Sequence, residues 1–438
     1  MLDAPTLARI ANTPIPESLH DLQARGVRFH SDRVREGDLF FALPGAQSHG
    51  IAFADDALAR GAVAVVSDRA HPRGVRVADP GAVLLALGRY ARAQLAGPVL
   101  GVTGSAGKTS TKAMLAAALA ATVSPGNMNT PFALAGVLVD CWLGGKTGAD
   151  DVLVLELGID HVGEMASLVE LVRPSHALLT LIAASHLSGL GDLAGVAREK
   201  LTLVHAAPQA WVSEDTRTFL SPALRERVSV YGLGAEADVR GTILSDTSGS
   251  GSSQQTIEID NVRIVLPYPG VAMAKNAVGA FAVARALGVE AQTVAARLAG
   301  VRLEPGRLQR YEVGDLVLLD DSYNSNPASA TLALGVLRQL PGPRTAILGD
   351  MLELGEKSAA HHRELGVQTR DLDRVIAVGT EATAIREGNP HAEHFATVEA
   401  ALATLRADDL HGSVLVKASR GMRFERIVTA LREDRVAR

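Results

Sequence analysis

The chain has 438 residues, which is too long for one compact core and predicts about three domains. Hydrophobic residues make up 47% and charged residues 21%, which excludes a disordered or fibrous protein, and a net charge of −5 argues against nucleic-acid binding over a broad basic face. A single cysteine, Cys141, excludes an internal disulfide framework. The start resembles no signal peptide, and no apolar run is long enough to cross a bilayer, so we expect a cytoplasmic protein without membrane insertion.

Residues 1–95 predict a small α/β domain. Asp38–Leu43 and Ala62–Val66 have the apolar character of short strands, and Phe53–Arg60 between them has the pattern of a helix.

Residues 96–305 predict a parallel sheet that is covered by helices on both faces. Pro98–Thr103, Val152–Leu157 and Ala177–Ile182 have the composition of buried strands. A glycine-rich turn follows the first of them, and a helix is predicted from Lys108 to about Thr122.

The same domain includes a small antiparallel sheet near residues 236–266. Two alternating strands flank an Asp260-Asn261 turn, which is typical of a hairpin. Ser245–Ser253 is rich in Ser and Gly and is predicted to be a mobile hairpin loop. A helix from about Lys275 to Leu287 resumes the α/β pattern.

Residues 306–438 predict a second parallel sheet of dinucleotide-fold character. Its predicted strands are Leu316–Leu319, Thr345–Leu348, Val375–Val378 and Ser413–Val416. The chain has no repeat with a period of 20–50 residues, which argues against a solenoid. The predicted fold class is therefore α/β, in three domains.

The strongest local motif is the phosphate-loop sequence Gly101-Val-Thr-Gly-Ser-Ala-Gly-Lys-Thr-Ser110. It follows a strand and opens a helix, so backbone N–H groups and the positive helix end can hold phosphate oxygens. Lys108 can reach the terminal phosphates and the Thr109 hydroxyl can bind Mg²⁺. The spacing departs from the usual loop because five residues separate Gly101 from Gly107. A plain glycine turn before a helix is the weaker interpretation, and phosphate binding alone does not separate a ligase from a kinase or GTPase.

Three further residues are candidates by position. Glu156 ends a predicted strand, at the sheet edge where ligands bind, so a metal-ligand role and a helix-capping role are about equally favoured. His186 follows another strand at the same edge. Lys200 lies in a predicted helix, where a lysine is usually a solvated charge, and the residues alone give no reason to select it.

Together these motifs resemble the Mur ligase family over nearly the whole chain. Thr103–Thr109 is similar to the family's shortened phosphate loop, which accounts for the glycine spacing. Glu156–Gly158 and Gly163–Met165 are similar to a paired motif of the branch that adds D-alanyl-D-alanine. His186 and Lys200 fall where the family has a metal-binding histidine and a carbamylated lysine.

The most branch-specific match is Leu319-Asp-Asp-Ser-Tyr-Asn-Ser-Asn-Pro327. The neighbouring branch, which adds the third amino acid, typically has Asp-Tyr-Ala-His-Thr-Pro there. Leu348–Gly355 with His362 seven residues on, and Val414–Arg420, also resemble the dipeptide-adding branch. Pro305-Gly-Arg307 resembles the arginine motif that opens the family's third domain. In the first segment the similarity to a UDP-binding module rests on Arg33, Gly37–Phe40, Ala42–Leu43 and Ala62–Ala64.

The resemblance implies ATP-dependent ligation of D-alanyl-D-alanine to UDP-N-acetylmuramoyl-tripeptide through an acyl phosphate, by a monomer that uses Mg²⁺ and a carbamate on Lys200. It implies catalytic roles for Lys108, His186 and Lys200. The implied ATP-binding residues are Gly104, Ser105, Ala106, Gly107, Lys108, Thr109, Ser110, Asn276, Arg307, Asp321, Asn324 and Asn326. The implied metal ligands are Thr109, Glu156, His186 and Lys200, and the implied substrate-binding residues are Ser31, Arg33, Asn127, Asn129, Ser419 and Arg420.

The chain also departs from the family pattern. Ser31-Asp-Arg33 replaces Asp-Ser-Arg, and Ser48-His-Gly50 replaces Asp-Gly-His. The substituted positions that bear on UDP-sugar and adenine contacts are Thr130, Phe132, Ala133, Ala272 and Met273. The alternatives are another ligase of the group (third-residue-adding, folylpolyglutamate synthase or cyanophycin synthetase type), a non-ligase phosphate-loop ATPase, and a nucleotide-binding scaffold without catalysis.

Overall fold

The computed structural model describes residues 1–45, 47–245, 254–406 and 409–436. The predicted Ser245–Ser253 loop lies outside these residues, except for Ser245 at its start. The chain divides into two compact units. The first comprises Met1–Gly101, Thr122–Gly158 and Ala166–His176, and the second comprises Val102–Ala121, Ile159–Met165 and Ala177–Arg438.

The N-terminal segment forms a small α/β layer, as predicted. Its elements are β1 (Leu2–Asp3), α1 (Ala4–Ala11), β2 (Gln23–Ala24), β3 (Gly26–Arg28), β4 (Asp38–Phe41), α2 (Ala54–Ala59), β5 (Ala64–Ser67), β6 (Gly74–Arg76) and α3 (Pro80–Gln94). Strands β3 to β6 form a parallel sheet in chain order, while β1 and β2 pair antiparallel. Phe40 and Val65 pack against Ala57 of α2 in the small core. Helix α3 begins at Pro80, where the Asp79 side chain accepts a hydrogen bond from the Ala82 N–H.

The next segment of the chain contributes a nine-stranded sheet in the order β15-β14-β13-β12-β11-β10-β7-β9-β8. Its strands are β7 (Val99–Thr103), β8 (Thr122–Val123), β9 (Leu153–Glu156), β10 (His176–Leu179), β11 (Gln209–Ser213), β12 (Val228–Gly232), β13 (Val239–Ser245), β14 (Gln255–Ile259) and β15 (Val262–Leu266). The helices are α4 (Lys108–Leu119), α5 (Pro131–Leu143), α6 (Glu164–Val172), α7 (Leu187–Leu190), α8 (Leu193–Ala206), α9 (Pro222–Arg225), α10 (Val271–Ala286) and α11 (Ala291–Ala299).

The predicted hairpin is confirmed. Strands β14 and β15 pair antiparallel, and both Asp260 and Asn261 adopt the left-handed backbone that a two-residue hairpin turn requires. The predicted end of α4 at about Thr122 is wrong. The helix stops at Leu119 because Ala120 is left-handed (φ 51°), and Thr122 pairs with Leu153 in a parallel strand.

The C-terminal segment is a six-stranded sheet in the order β16-β17-β21-β18-β19-β20. Its strands are β16 (Gln309–Val313), β17 (Leu316–Asp321), β18 (Arg344–Gly349), β19 (Arg374–Val378), β20 (Glu393–Phe395) and β21 (Ser413–Lys417). Its helices are α12 (Pro327–Arg338), α13 (Ser358–Gln368), α14 (Ile385–Gly388), α15 (Val398–Thr404) and α16 (Glu425–Val436). Only the edge strand β16 is antiparallel to its neighbour, so the predicted parallel α/β character holds. Within the described ranges, no helix combines the length and the apolar character needed to cross a bilayer.

Candidate active site

The phosphate loop adopts a backbone that requires glycine at two positions. Gly104 has φ 152°, and a Cβ there would lie 1.9 Å from the Thr180 hydroxyl oxygen. Gly107 has φ 82° and immediately precedes α4. An L side chain at either position would be strained, so these glycines set the shape of the loop.

The segment after β10 holds this loop in place. Ser105 is central: its N–H donates to the Leu181 carbonyl, its hydroxyl donates to the Ala183 carbonyl at 2.8 Å, and the Ser185 hydroxyl donates to its oxygen at 3.0 Å. The Thr180 hydroxyl donates to the Ala106 carbonyl. The loop is therefore pre-organised by its own neighbours, and little ordering remains when an anion binds.

Lys108 and Thr109 are the first two residues of α4. The Lys108 ammonium donates to the Gly104 carbonyl at 2.8 Å, which folds the side chain back over the loop. Thr109 is buried beneath it. A cation and a hydroxyl at a helix N-terminus form an arrangement that binds polyphosphate and its metal.

His186 adopts a left-handed backbone (φ 51°) just before α7. Its Nδ1 lies 2.9 Å from an Asp160 carboxylate oxygen and 2.6 Å from a Glu353 carboxylate oxygen, as ion-pair contacts rather than well-aligned hydrogen bonds. Burial lowers the pKa of His186, but the two carboxylates outweigh it and raise the pKa above its ordinary value. Ligand atoms of these three residues all lie within 4.8 Å of one another, which is close enough to surround a cation.

Two glutamates hold the loop that carries Asp160. Glu164 accepts hydrogen bonds from the Asp160 and His161 N–H groups, at 2.7 and 3.1 Å. Glu199, which is buried on α8, accepts from the Gly163 N–H at 2.9 Å. The position of Asp160 is therefore fixed by the hydrogen bond from its backbone N–H to Glu164. The contact with His186 lowers the pKa of Asp160, which favours its ionised form.

Lys200 occupies a setting that contradicts the solvated-lysine interpretation. Its side chain is only 1% exposed, although it lies in α8 as predicted. Burial first, and then the charge of Lys108, holds the pKa of Lys200 well below its usual range. No carboxylate of the described chain forms an ion pair with its ammonium. The setting therefore favours the neutral amine over the ammonium.

Glu156 is the last residue of β9, as predicted, and is 4% exposed. Its N–H donates to the Ser124 hydroxyl at 3.4 Å. Two residues on, Gly158 leaves room for the Asn129 amide, whose nitrogen would lie 2.5 Å from a Cβ at position 158. A buried carboxylate at the carboxyl end of a strand suits a metal ligand.

One cavity brings together five of the sequence-predicted residues. It has a volume of about 130 Å³. The predicted residues that line it are His186, Asn324, Asn326, Ser419 and Arg420. Glu353, which was not predicted, lines it as well. Arg307 is near this group, since its guanidinium stacks on the Tyr323 ring at 4.0 Å and Arg420 lies 5.3 Å from the same ring.

Several of these side chains hold the cavity wall. The Asn326 amide donates to the Ser105 carbonyl at 2.8 Å, and the Ser419 hydroxyl donates to the Ser325 carbonyl. Asp321 forms an ion pair with the buried Lys417 and accepts from the Leu308 N–H at 3.1 Å. Asp321 is therefore engaged within the protein on both its ion-pair and its hydrogen-bond contact.

A second cavity of about 360 Å³ opens beside Ala106 and Gly107. Asn276 is 6% exposed there, and within the described residues its buried amide nitrogen has no hydrogen-bond partner. An unsatisfied buried donor is costly, so this amide is suited to donate to an acceptor on a bound molecule. Ala272 also lines this cavity, whereas Met273 points into the core, so neither supplies a polar contact.

The first unit contains the third cavity, with a volume of about 650 Å³. Arg33 lines it, with Arg28, His30, Arg35 and Lys146 as further basic groups. Ser31 is not among the lining residues, and of the 127–129 turn only Met128 reaches the cavity. Phe132, one of the residues that depart from the family pattern, packs against Phe29 at 6.5 Å between ring centroids. Its side chain therefore makes an apolar contact rather than a polar one.

Sequence reasoning missed Asp160, Glu199 and Glu353. Glu353 is inside the quoted Leu348–Gly355 motif, but nothing in the sequence places it against a histidine more than 160 residues earlier. Asp160 lies between two matched motifs, and only its position after β9 was a usable signal.

Comparison with known proteins covers nearly the whole chain. The family models that match are the Mur ligase family catalytic domain over residues 23–97, the Mur ligase middle domain over 102–284 and the Mur ligase glutamate ligase domain over 306–420. A UDP-N-acetylmuramoyl-tripeptide–D-alanyl-D-alanine ligase of Escherichia coli is 33% identical over 94% of this chain and 95% of its own length. A Bacillus subtilis protein of the same name is 29% identical over 93% of each chain.

Solved structures agree with the sequence relatives. MurF from Acinetobacter baumannii superposes with a TM-score of 0.85 at 28% identity, covering 98% of both chains. MurF ligase from Thermotoga maritima, in complex with ADP, gives a TM-score of 0.80 at 28% identity and covers 95% of this chain and 99% of its own. The chain belongs to the Mur ligase family.

Proposed function

We propose that this protein is an ATP-dependent ligase that joins D-alanyl-D-alanine to UDP-N-acetylmuramoyl-tripeptide in peptidoglycan precursor synthesis. The relatives that span both chains almost completely carry this name, and MurF structures share the fold from end to end. The observation that carries the chemistry is the buried Lys200, whose pKa is lowered by burial and by the charge of Lys108 in the phosphate loop. The third-residue-adding, folylpolyglutamate and cyanophycin alternatives are less favoured because the Leu319–Pro327 motif resembles the dipeptide-adding branch.

We propose three functional segments, 1–95, 96–305 and 306–438. The matches at residues 23–97, 102–284 and 306–420 support these boundaries. The cavity around Arg33 would bind the UDP part of the muramoyl substrate. Ser31, Asn127 and Asn129 do not line this cavity and remain proposed substrate contacts on the resemblance alone. We also propose a cytoplasmic monomer that acts on small molecules; residues 102–110 of the phosphate loop, Lys200 and His186 all lie in the second unit of one chain, which is consistent with a monomer.

The nucleotide is proposed to span the phosphate loop and the cavity beside it. Gly104–Ser110 would hold the phosphates, while the unsatisfied Asn276 amide faces the same loop. Arg307, Asp321, Asn324 and Asn326 are proposed to approach from the C-terminal segment. The direct bond from Asn326 to Ser105 supports this for one of the four.

The proposed reaction has two steps. The tripeptide carboxylate attacks the γ-phosphorus of ATP, the bond to the β-phosphate oxygen breaks and ADP leaves, which gives an acyl phosphate. The dipeptide amine then attacks the acyl carbon, loses a proton, and inorganic phosphate leaves as the amide forms. The chain's main contribution is to position anionic groups and balance their charge, with Lys108 at the terminal phosphate and Ser419 and Arg420 near the incoming substrate.

The residues fit Mg²⁺. Thr109 and Glu156 supply a hydroxyl and a buried carboxylate, and the contacts of His186 with Asp160 and Glu353 are made through Nδ1, which leaves Nε2 for a metal. We propose that Thr109 and Glu156 hold one ion and that His186 and a carbamate on Lys200 hold a second. Bound Mg²⁺ supplies neutralisation of the phosphate charge. Carbamylation needs a neutral amine, which the burial of Lys200 provides.

Glu156→Ala and His186→Ala should each raise the Mg²⁺ concentration needed for half-maximal activity by about tenfold or more, since each removes a ligand from an ion otherwise held by phosphate and water. Phosphate release measured across a Mg²⁺ titration tests this. Glu226→Ala and His391→Ala, both exposed positions, are matched controls that should leave the titration unchanged. Unchanged titrations for both site variants would assign Glu156 and His186 to structural roles.

D-alanyl-D-alanine should be accepted, whereas a single lysine or diaminopimelate should not, because the Asp320–Pro327 segment resembles the dipeptide-adding branch. The experiment is a phosphate-release panel with UDP-muramoyl tripeptides ending in lysine, diaminopimelate or ornithine, each with and without the dipeptide. Efficient addition of one amino acid to a UDP-muramoyl dipeptide would move the protein to the neighbouring branch. ATP hydrolysis that ignores both substrates would favour a plain ATPase, and no turnover at all would favour a scaffold.

A further inference from the structure

Glu353 lies in a turn that the protein fixes from three sides. The Met351 N–H donates to Nε2 of the buried His362 at 2.9 Å, and the Leu352 N–H donates to the Ser419 hydroxyl at 2.9 Å. The Glu353 carbonyl accepts from the Ser188 N–H at 3.2 Å. The turn is therefore joined by its backbone to the helix that His186 opens.

Backbone conformation singles out the same pair of residues. His186 has φ 51° and Glu353 has φ 67°, which few residues other than glycine adopt. Such strain persists where surrounding contacts enforce it, and it is common at functional sites. Here two strained residues meet side chain to side chain, at 2.6 Å between Nδ1 and a carboxylate oxygen.

The contact has a consequence for the histidine ring. Carboxylate oxygens of Asp160 and Glu353 lie 2.9 and 2.6 Å from Nδ1, so this side of the ring is held by the protein and Nε2 is the ring nitrogen left for another partner. A carboxylate behind a histidine commonly fixes the tautomer and the ring orientation of a metal ligand. Asp160 comes from the central part of the chain, whereas Glu353 comes from the C-terminal segment.

We propose that Glu353 is a positioning residue for the ligation reaction: through Nδ1 it orients His186 so that Nε2 faces the cation, which places part of the metal site under the control of the C-terminal segment. This rests on the proposed ligase function and deepens it, because the C-terminal segment then acts on the His186 side of the site as well as on the nucleotide. Glu353 does not touch the reacting atoms in this assignment.

The test uses Glu353→Gln, which keeps the size of the side chain and removes its charge. The side chain is 56% exposed, so the variant should fold with an unchanged thermal midpoint. Glu356→Gln, an exposed glutamate three residues on, is the matched control. Binding of Mn²⁺ is followed by electron paramagnetic resonance of the free ion, with the full-length protein saturated by a non-hydrolysable ATP analogue.

Glu353→Gln should weaken Mn²⁺ binding by about tenfold, and the control should not change it. The Mg²⁺ dependence of phosphate release should shift by a similar factor, while kcat at saturating Mg²⁺ stays within about threefold of wild type because a positioning effect is overcome by excess metal. Mn²⁺ affinity within about twofold of wild type would overturn the proposal, as would a kcat that remains depressed at saturating Mg²⁺. Failure of the wild-type protein to ligate the dipeptide would instead overturn the proposed function, and the Mn²⁺ measurement is independent of that outcome.

Discussion

Lys200→Ala is expected to be nearly inactive, and added formate or acetate is expected to restore part of its activity. Loss of an anionic oxygen ligand beside the acyl phosphate removes several kcal/mol of charge stabilisation, which corresponds to roughly a thousandfold in turnover. Because the side chain is almost wholly buried, its removal leaves a space that a small carboxylic acid can enter and use to supply the missing oxygen. Turnover is measured by phosphate release across a titration of each acid.

Two controls separate this result from a folding defect. Lys200→Met fills the space without a charge, so it should be inactive and should show no response to either acid. Direct detection comes from ¹³C-bicarbonate, which should give a carbamate signal in wild type and none in either variant. Near-normal activity of Lys200→Ala would remove this residue from the site and leave the second cation without its proposed ligand.

Lys108→Ala is expected to abolish measurable turnover while the thermal midpoint stays close to wild type. The ammonium lies over the phosphate loop and donates a hydrogen bond to the Gly104 carbonyl, so it contributes charge rather than packing. Lys357→Ala, an exposed lysine in the C-terminal segment, is the matched control. Formate and acetate should not rescue Lys108→Ala, because the missing group is a cation. A variant that turns over within about tenfold of wild type, or about 1.4 kcal/mol, would contradict the phosphate-loop assignment.

Local patterns predicted most of the fold because strand composition and turn chemistry act over a few residues. The Asp260-Asn261 hairpin is an example, since both residues tolerate the left-handed backbone that the turn needs. The end of α4 was missed for the opposite reason. Ala120 is a good helix former, yet it is left-handed, and two residues on Thr122 pairs with Leu153, which lies far along the chain.

The candidate site likewise contains one part that the sequence predicts and another part that only the fold reveals. The phosphate loop is contiguous, so the residue order alone predicts it. Lys200 is different, because its low pKa arises from burial and from the charge of Lys108, neither of which a helical lysine reveals in sequence. Asp160 and Glu353 approach His186 from opposite directions along the chain, and only the folded arrangement brings the three together.

The Asn326 side chain serves two elements at once. Its carbonyl oxygen accepts from the Ser329 N–H at the start of α12, and its amide nitrogen donates to the Ser105 carbonyl of the phosphate loop. Aspartate or serine would retain the helix cap but offer no comparable donor to the loop, while glutamine would place the same groups one methylene too far away. Very few substitutions of Asn326 are therefore neutral. A substitution by aspartate or serine removes the hydrogen bond to the phosphate loop and leaves the cap of α12 in place.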